Sequence, residues 1–327
     1  MDAIVGLLNG TRARGAFLLR TVLDPPWGLR IQDNAPLTLV ALTRGHAIVT
    51  MAGIPSVALT AGDIAIIRGV GPYEIADSAE TAPQVVIHPG QRCTTLHGED
   101  LALTMGLGLR TWGTNLEGAT MMLTGTYETQ SSIGRPLLHA LPPIVVVHRN
   151  EWDSPLMDLL GHEIGRDEPG QDVVLDRLLD LLIVAVLRTW FARQGPDQKT
   201  WWRASNDQVV GAALQLVHNR PDEPWTVATL ADDIGVSRAN LARRFHDLVG
   251  EPPIGYLTRW RLSLAADLLR ESDATLSTIA RRVGYGGAFA LSTAFKRQYG
   301  ITPQHHRRVG HHVVATNSTV HEMQDSR

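Results

Sequence analysis

The chain has 327 residues, of which 44% are hydrophobic and 19% are charged, and its formal net charge is −3 at pH 7. This composition is typical of a globular protein, excludes a disordered or fibrous chain, and at roughly 150 residues per domain the length suggests about two domains. A single cysteine, Cys93, excludes an internal disulfide and a multi-cysteine zinc site.

No apolar run approaches the roughly 20 residues that a bilayer requires. The longest, over residues 181–187, has seven residues and is bounded by Asp180 and Arg188. The first residues lack the basic start and apolar stretch of a secretory signal. We therefore expect a cytoplasmic protein without a membrane partner.

The charge is unevenly distributed. Residues 225–310 carry 12 Lys/Arg and 7 Asp/Glu, a net charge of +5, so that the remaining residues sum to −8. Such asymmetry is typical of a module that faces a polyanion, joined to one that does not. Nearly all of these cations are arginines, which match phosphates and guanine edges with two parallel hydrogen bonds.

Short apolar runs rich in Val, Ile and Leu follow one another from Phe17 to about Gly125, separated by Gly, Pro and Asp. Strand-sized runs at this spacing predict an all-β barrel or jelly roll, a fold that often encloses a ligand cavity. We also predict a hairpin over residues 54–71 with its turn at 61–63. The predicted strands span residues 37–42, 47–51, 56–59, 63–67, 73–76 and 84–88.

A metal-dependent enzyme built on such a barrel needs a His-x-His pair and a carboxylate on neighbouring strands. The sequence has no such set, and His162-Glu163 lacks the second histidine of a zinc-protease helix. We predict no catalytic residue, metal or cofactor, and interpret His46, His88 and His97 as surface or core histidines. Cys93 is interpreted as a small buried hydrophobe, with a redox-sensitive thiol as the alternative.

After Pro142-Pro143 the period of the apolar residues changes. The pattern predicts a short helix over residues 154–162 and a longer one over 173–191 that is apolar almost all round. A helix of this kind must be covered on two sides, either by the barrel alone or also by the same helix of a second copy.

The C-terminal region contains two similar pairs of helices. In the first pair, Thr226 caps a helix over residues 227–233, Gly235 makes the turn, and Ser237 caps a helix over 238–248.

In the second pair, Thr275 caps a helix over 276–283, residues 284–287 make the turn, and a helix spans 288–299. A connecting helix over 253–270 is about 27 Å long, close to the ~34 Å between successive major-groove faces of DNA. The pattern predicts two helix-turn-helix units held in adjacent grooves.

The run that begins with Gly284-Tyr285, continues as Phe-Lys-Arg-Gln-Tyr-Gly-Ile-Thr-Pro over residues 295–303 and ends at Arg307 resembles the signature of AraC-type bacterial transcription regulators. The resemblance covers about residues 205–308. The preceding 190 or so residues, including Pro-Pro-Trp at Trp27 and the segment 137–142, more loosely resemble the cupin-like sensory domain of a subgroup of this family.

The resemblance implies an α+β multidomain fold with five parts. We expect a cupin-like sensory β-barrel, a helical dimerisation or packing segment, a linker, a DNA-binding domain with two helix-turn-helix units, and a flexible tail that includes the histidines at 311 and 312. These parts are assigned to residues 1–150, 151–195, 196–204, 205–310 and 311–327.

It further implies a sequence-specific DNA-binding transcription regulator, not an enzyme, controlled by a small-molecule effector bound in the N-terminal domain. The expected partners are double-stranded promoter DNA, that effector and a second copy of the chain, with RNA polymerase as a further candidate. Two alternatives stay open at this point. One is a cupin-type metal-dependent enzyme fused to a helical domain, and the other is a ligand-free regulator whose barrel serves only for dimerisation.

The resemblance also places the DNA-contacting positions on the second helix of each pair. Arg243 is the strongest candidate for reading a base. Because Ala288 and the other alanines offer no hydrogen-bonding group, we expect the second pair to contribute phosphate contacts and apolar contact with thymine methyls more than base hydrogen bonds. The full set is Arg238, Ala239, Ala242, Arg243 and His246 in the first pair, and Ala288, Phe289, Ser292, Thr293, Lys296 and Arg297 in the second.

A further set of arginines is interpreted as a basic surface of which about half contacts phosphate. Gly287 departs from the family pattern because it stands where a capping serine is common. The arginines of this set are Arg244, Arg281, Arg282, Arg307 and Arg308.

Overall fold

The computed structural model describes residues 17–69, 71–127, 141–193 and 201–308. They form two compact units, one made of the first three of these ranges and the other of the last. The predicted tail over 311–327, residues 196–200 of the predicted linker, and residues 137–140 lie outside the described residues. The five domain boundaries therefore stay predictions.

The first unit is built from short strands. Their bounds are β1 (Phe17–Leu23), β2 (Gly28–Ile31), β3 (Leu37–Arg44), β4 (His46–Met51), β5 (Ile54–Thr60), β6 (Ile64–Arg68), β7 (Tyr73–Ala76), β8 (Val85–Ile87), β9 (Cys93–Thr95), β10 (Gly106–Gly108), β11 (Thr111–Gly113), β12 (Thr120–Tyr127) and β13 (Ile144–Val147). Each of the six predicted runs overlaps one of these strands.

The strands form two sheets. One sheet has the order β10-β11-β1-β12-β3-β6-β13, and the other has the order β5-β4-β7-β2-β8-β9. Their inward-facing side chains form one hydrophobic core, which includes Trp27, Val40, Tyr73, Trp112 and Met122. This sheet-rich unit, followed by a helical one, confirms the predicted fold class.

The predicted hairpin over residues 54–71 is wrong. β5 pairs with β4 in one sheet, whereas β6 pairs with β3 and β13 in the other. The turn at 61–63 is present, with the Asp63 N–H donating to the Thr60 carbonyl at 2.9 Å, but it carries the chain between sheets. Ile64, Ala65, Ile66 and Ile67 are all buried, which is typical of a central strand that has a paired neighbour on each edge and packed layers over both faces.

Two helices complete the first unit, α1 (Leu156–Glu163) and α2 (Gln171–Arg193). Both lie within two residues of their predicted bounds. A Cβ on Gly125 of β12 would lie 2.6 Å from Cδ1 of Leu179, so glycine allows α2 to approach the sheet closely. The face toward the barrel is buried, but Val173, Val174 and Leu181 on α2 are exposed. The barrel thus covers one side of α2.

None of the helices in the described ranges combines the length and the hydropathy that crossing a bilayer would need.

The second unit is helical. Its helices are α3 (Trp201–Asn206), α4 (Gln208–Asn219), α5 (Val227–Ile234), α6 (Arg238–Val249), α7 (Pro253–Glu271), α8 (Leu276–Arg282) and α9 (Ala288–Tyr299), and residues 303–308 are also helical. Residues 201–204, which we assigned to a linker, thus belong to α3. The connecting helix α7 has 19 residues and is about 28 Å long.

The core of this unit surrounds α7. Trp260 and Leu257 are buried, whereas Leu264 is only partly buried. The fully buried Ala265 and Ala266, which the sequence analysis did not single out, contribute to a core shared with α8 and α9. α7 is therefore buried on more than one side, and this holds the two predicted helix pairs in one unit.

Candidate nucleic-acid interface

The first helix pair (residues 226–250) is fixed by its caps. The Thr226 hydroxyl accepts from the Thr229 N–H at 3.1 Å, and the Ser237 hydroxyl accepts from the Asn240 N–H at 3.2 Å. Gly235 adopts a left-handed conformation with φ of 74°, which favours glycine. On α6, Leu241 is fully buried. The predicted caps and turn are confirmed.

The second helix pair (residues 275–300) repeats this design with one difference. The Thr275 hydroxyl accepts from the Thr278 N–H at 3.2 Å. Gly284 has φ of 77°, and a Cβ there would meet the Pro221 carbonyl at 2.8 Å. Gly287 precedes α9 and provides no side-chain cap.

The buried residues of α6 and α9 show which exposed positions of the two helices correspond to each other. Leu241 and Phe245 on α6, and Leu291 and Phe295 on α9, all have 0% exposure and are related by an offset of 50 residues. Positions 50 residues apart therefore share an orientation on their helices. The resulting pairs are Arg238 with Ala288, Ala239 with Phe289, Ala242 with Ser292, Arg243 with Thr293, and His246 with Lys296.

The predicted site residues lie mostly on the accessible faces of α6 and α9. Phe289 is 87% exposed, although it is a large apolar residue. Ala242, Ala288 and Ser292 are partly buried. The remaining positions are all exposed, namely Arg238, Ala239, Arg243, His246, Thr293, Lys296 and Arg297.

The basic residues of the helical unit fall into two groups, those that make an internal hydrogen bond or ion pair and those that do not. Within the ranges that the structure describes, several exposed cations on α6, α8 and α9 make neither a hydrogen bond nor an ion pair. They are Arg238, Arg243, Arg281, Arg282, Lys296 and Arg297. These side chains are available to an external anion without breaking an internal contact.

Other basic residues hold the fold together. Arg244, which we predicted in the basic surface, donates to Oδ2 of Asp207 at 2.5 Å. Arg307, from the same predicted set, donates to the Ala274 carbonyl at 2.5 Å. Nη2 of Arg308 lies 3.2 Å from Nδ1 of His305, and Arg308 is exposed. The basic surface predicted from sequence thus includes at least two residues that stabilise the unit.

Asp207 was missed by the sequence analysis. Burial alone would raise its pKa, but hydrogen bonds from the Val210 N–H, from Arg244 and from the Val209 N–H outweigh burial, so the pKa lies below its ordinary value. An aspartate directly before an apolar helical pattern is a typical N-cap and could have been found. Its contact with a residue 37 positions later could not.

In the first unit, no group of three or more His, Cys, Asp or Glu among the described residues lies close enough to hold a metal ion. His46 and His97 are exposed, while the two ring nitrogens of His88 contact Gln32 at 3.4 Å and Thr94 at 2.9 Å. These positions agree with surface and core histidines.

Cys93 is buried, as its interpretation as a small hydrophobe requires. Burial, with the nearby negative charge of Asp100, raises the pKa of its thiol to about 11. Because the thiolate is the reactive form, this environment opposes a redox-sensing role.

A cleft of about 550 Å³ opens on the first unit beside the turn at 61–63. Burial raises the pKa of Asp63 at its edge, but hydrogen bonds from Thr60, Arg149 and His148 bring it below its usual range. No pattern in the sequence indicated this cleft. Its lining residues are Thr60, Ala61, Asp63, His148, Arg149 and Asn150.

The cleft adjoins the contact that fixes the end of α2. Glu151 directly follows the lining residue Asn150, and its Oε1 accepts from Arg193 at 2.5 Å. Arg193 also donates to the Val146 carbonyl at 2.6 Å. The last residue of α2 is therefore held by residues on either side of the cleft-lining segment 148–150.

Comparison with known proteins agrees with the division of the chain into a sheet-rich unit and a helical unit. A family model described as Cupin matches residues 2–192, and one described as Helix-turn-helix domain matches residues 230–309. A Streptomyces lividans protein named as an AraC-like transcription regulator is 31% identical over 94% of this chain and 98% of its own length. The HTH-type transcriptional regulator AlkR of Acinetobacter baylyi is 35% identical over 60% of this chain and 66% of its own length.

A solved structure shows a similar but shorter match. The C-terminal domain of AraT, a response regulator from Geobacillus stearothermophilus, is 31% identical, covers 32% of this chain and 86% of its own, and superposes with a TM-score of 0.30.

Proposed function

Because the chain belongs to the AraC-type family of transcription regulators, with a cupin domain and a helix-turn-helix domain, we propose that it binds promoter DNA through the outer faces of α6 and α9. The bases are contacted by the predicted positions on these helices, and the phosphates by the exposed cations around them. We place the protein in the cytoplasm, where its DNA target is found.

One observation carries this assignment. Two helices in one compact unit each bury two large side chains completely and expose the opposite face, and cations that make no hydrogen bond or ion pair with any described residue lie on or beside the exposed faces. A helix that enters the major groove needs this combination, because the inner face must pack and the outer face must meet phosphates and base edges.

The test is a titration of the full chain against a fluorescent duplex from the upstream region of its own gene, at 50 and 200 mM salt. We expect affinity to fall by about 10³-fold or more if six phosphates are contacted. A scrambled duplex of equal length is the control. Binding that is absent, or insensitive to both salt and sequence, would refute the proposal.

A small-molecule effector is the second part of the proposal. The cleft beside Asp63 is open to solvent, its volume of about 550 Å³ lies within the range of small-molecule sites, and His148, Arg149 and Asn150 offer polar groups of different kinds. A ligand that moves residues 149–151 would change the hydrogen bond between Glu151 and Arg193. Arg193 is the last residue of α2 and precedes the helical unit in the sequence. Ligand binding would then bias the position of α2, and this bias is the route of control.

A thermal-shift screen of the purified chain against a metabolite library tests this step. An effector should raise the unfolding temperature of the wild type and have a weaker effect on an Arg149→Ala variant. Elemental analysis of the same preparation addresses the metal-dependent enzyme, since stoichiometric metal would favour that alternative. If the chain is a regulator without a ligand, we expect no compound in the screen to raise its unfolding temperature.

We also propose that the chain acts as a homodimer through α2. Val173, Val174 and Leu181 are 62%, 44% and 53% exposed, and residues 174 and 181, seven positions apart, lie on the same helical face. An exposed apolar stripe on a helix whose other side is buried against the barrel favours contact with another apolar surface. RNA polymerase remains a predicted partner.

A further inference from the structure

The two helix pairs pack on different halves of α7. In the N-terminal half of α7, the ring of Tyr256 lies 5.7 Å from the ring of Phe245 in the first pair. In the C-terminal half, Ala266 and Leu269 belong to the core that α7 shares with the second pair. Bending or twisting of this one helix would change the orientation of one pair relative to the other, so a second connection is needed to fix it.

Arg261, near the middle of α7, provides such a connection to the first pair. Its Nε donates to the Pro221 carbonyl at 2.6 Å, and its Nη2 donates to the Glu223 carbonyl at 2.6 Å. Both carbonyls lie in the entry segment (residues 220–225), which leads from α4 into the first pair. Burial lowers the pKa of the Arg261 guanidinium, so this group is partly shielded from water, where hydrogen bonds are stronger.

The same guanidinium lies against the turn of the second pair. A Cβ added to Gly284 would lie 2.7 Å from Nη2 of Arg261 and 2.8 Å from the Pro221 carbonyl oxygen. The absence of a side chain therefore allows this turn to approach both groups at once. Arg261 thus lies where α7, the entry segment and the turn of the second pair meet.

The entry segment is in turn fixed to the first pair. Nη2 of Arg220 lies 3.0 Å from Oδ2 of Asp233 near the end of α5, and Cζ of Arg220 lies 4.7 Å from the centroid of the Trp225 ring. Nε1 of Trp225 donates to the Arg220 carbonyl at 2.9 Å. A continuous series of contacts therefore runs from the turn of the second pair through Arg261 and the entry segment to α5.

We propose that Arg261 is a positioning residue for DNA binding. It fixes the distance and the angle between α6 and α9, so that the chain accepts only one spacing between the two halves of its DNA site. This inference rests on the proposed function, and it adds that the accepted spacing is set by a residue outside the predicted DNA-contacting positions.

The geometry of DNA makes such spacing measurable. Major-groove faces on one side of B-DNA recur every 10–10.5 base pairs, so one inserted base pair rotates the second half-site by roughly 34° and moves it by ~3.4 Å. A unit with a fixed angle between its helices loses contacts on the displaced half. A unit without this constraint adapts and keeps them.

The experiment uses the full chain and the tightest duplex of about 30 base pairs that the wild type recovers from a randomised pool, a length that spans two major-groove faces. Hydroxyl-radical footprinting locates the two halves of the site. One base pair is then inserted or removed midway between them, and two further duplexes each keep one half and scramble the other. Affinities are measured on all of these duplexes.

Arg261→Ala is compared with Arg259→Ala. Arg259 is also a partly buried arginine of α7, and its Nε donates to Oε1 of Glu251 at 3.1 Å, in the turn before α7. Its substitution therefore removes a comparable internal contact that does not involve the entry segment or the second pair.

For the wild type we expect a change of spacing to lower affinity by about 10-fold or more, because displaced contacts should cost as much as mismatched base pairs. Arg261→Ala should bind the original duplex about 5- to 10-fold more weakly, since the orientation must then be ordered on binding. It should lose less than about threefold further when the spacing changes, and it should bind each single-half duplex within about twofold of the wild type. Arg259→Ala should keep the wild-type dependence on spacing.

Two further variants test the assignment to these contacts. Arg220→Ala interrupts the same series at a partly exposed ion pair and should relax the spacing preference in the same direction, which keeps the proposal testable if Arg261→Ala unfolds in thermal melts. Arg261→Lys keeps the charge but lacks the planar fork of arginine, and it should restore the spacing preference only in part.

A wild type that tolerates the changed spacing, or an Arg261→Ala variant that does not, would overturn the proposal. It would also be overturned by an equal loss on the single-half duplexes, which would indicate a role in folding or in direct contact with DNA, and by full recovery in Arg261→Lys, which would indicate an effect of charge alone. A wild type that binds the selected duplex no better than a scrambled one would instead refute the proposed function.

Discussion

The guanidinium of Arg244 donates to Oδ2 of Asp207 at 2.5 Å, while Oδ1 of the same carboxylate accepts the N–H groups of Val209 and Val210 and so caps α4. Arg243, the next residue along the helix, makes no such contact within the described chain. Because successive helical residues point about 100° apart, these two arginines serve different surfaces. Arg244 fixes α4 against α6, whereas Arg243 is exposed and is the residue that we propose for a DNA contact.

We therefore expect Arg244→Ala to destabilise the helical unit by about 1 kcal/mol, since the Arg244 side chain is 43% exposed and water weakens the pair. Asp207→Ala removes the cap as well and should cost about 1–3 kcal/mol. Urea unfolding followed by tryptophan fluorescence measures both. Arg243→Ala is the matched control, and a stability loss there as large as in Arg244→Ala would contradict this assignment of roles.

Much of the helical unit could be predicted from the sequence because its signals are local. Thr226, Ser237 and Thr275 bond to N–H groups three residues away, and Gly235 and Gly284 mark turns that need positive φ. In each case the capping or turn residue lies within a few residues of the helix end that it determines. The local sequence pattern is therefore enough to locate that helix.

The barrel was predicted less completely because strand pairing is not local. The residues of β6 look like the second half of a hairpin, yet they pair with β3 and β13, and no signal inside the strand distinguishes these partners. For the same reason the contacts of Arg244 and Arg307 could not be predicted. Their partners, Asp207 and Ala274, lie 37 and 33 residues away.

The exposed ring of Phe289 leads us to predict a contact with the C5 methyl group of a thymine. Replacing thymine by deoxyuridine in the half-site bound by α9 removes the C5 methyl and leaves base pairing unchanged. We expect wild-type affinity to fall about fourfold per contacted methyl, from ~0.8 kcal/mol of buried CH₂, and the same duplex to show no such loss with Phe289→Ala. Deoxyuridine placed in the other half is the internal control. An equal loss in the variant would show that Phe289 does not contact the methyl.

His218 predicts how the stability of the helical unit depends on pH. Its ring lies 4.0 Å from that of Trp260, and Nε2 lies 2.7 Å from the Tyr256 hydroxyl. Burial, with a smaller contribution from the charge of Arg259, lowers its pKa from 6.5 to about 3. The folded state thus keeps His218 neutral while the unfolded chain takes up a proton. Stability should be fully present above pH 6.5 and should be lost as the pH falls toward 3.

By pH 5 the loss from this one group should be roughly 2 kcal/mol. His218→Phe keeps a ring against Trp260 but cannot titrate, so the difference in unfolding free energy between wild type and variant should shrink by this amount between pH 7.5 and pH 5. Taking the difference cancels groups common to both proteins. A difference that stays constant over this range would show that His218 is protonated in the folded state.

The exposed stripe on α2 gives a prediction about assembly. If Leu181 lies in a homodimer contact, Leu181→Glu places an unpaired carboxylate in an apolar interface, which costs several kcal/mol. Leu103→Glu makes the same change at a 96% exposed leucine of the same unit and is the matched control. In sedimentation velocity over a range of concentrations, we expect wild type and Leu103→Glu to dimerise alike and Leu181→Glu to need at least 100-fold higher concentration, about 3 kcal/mol. A dimer unaffected by Leu181→Glu would place the interface on another face, and a wild type that stays monomeric would leave the stripe without this role.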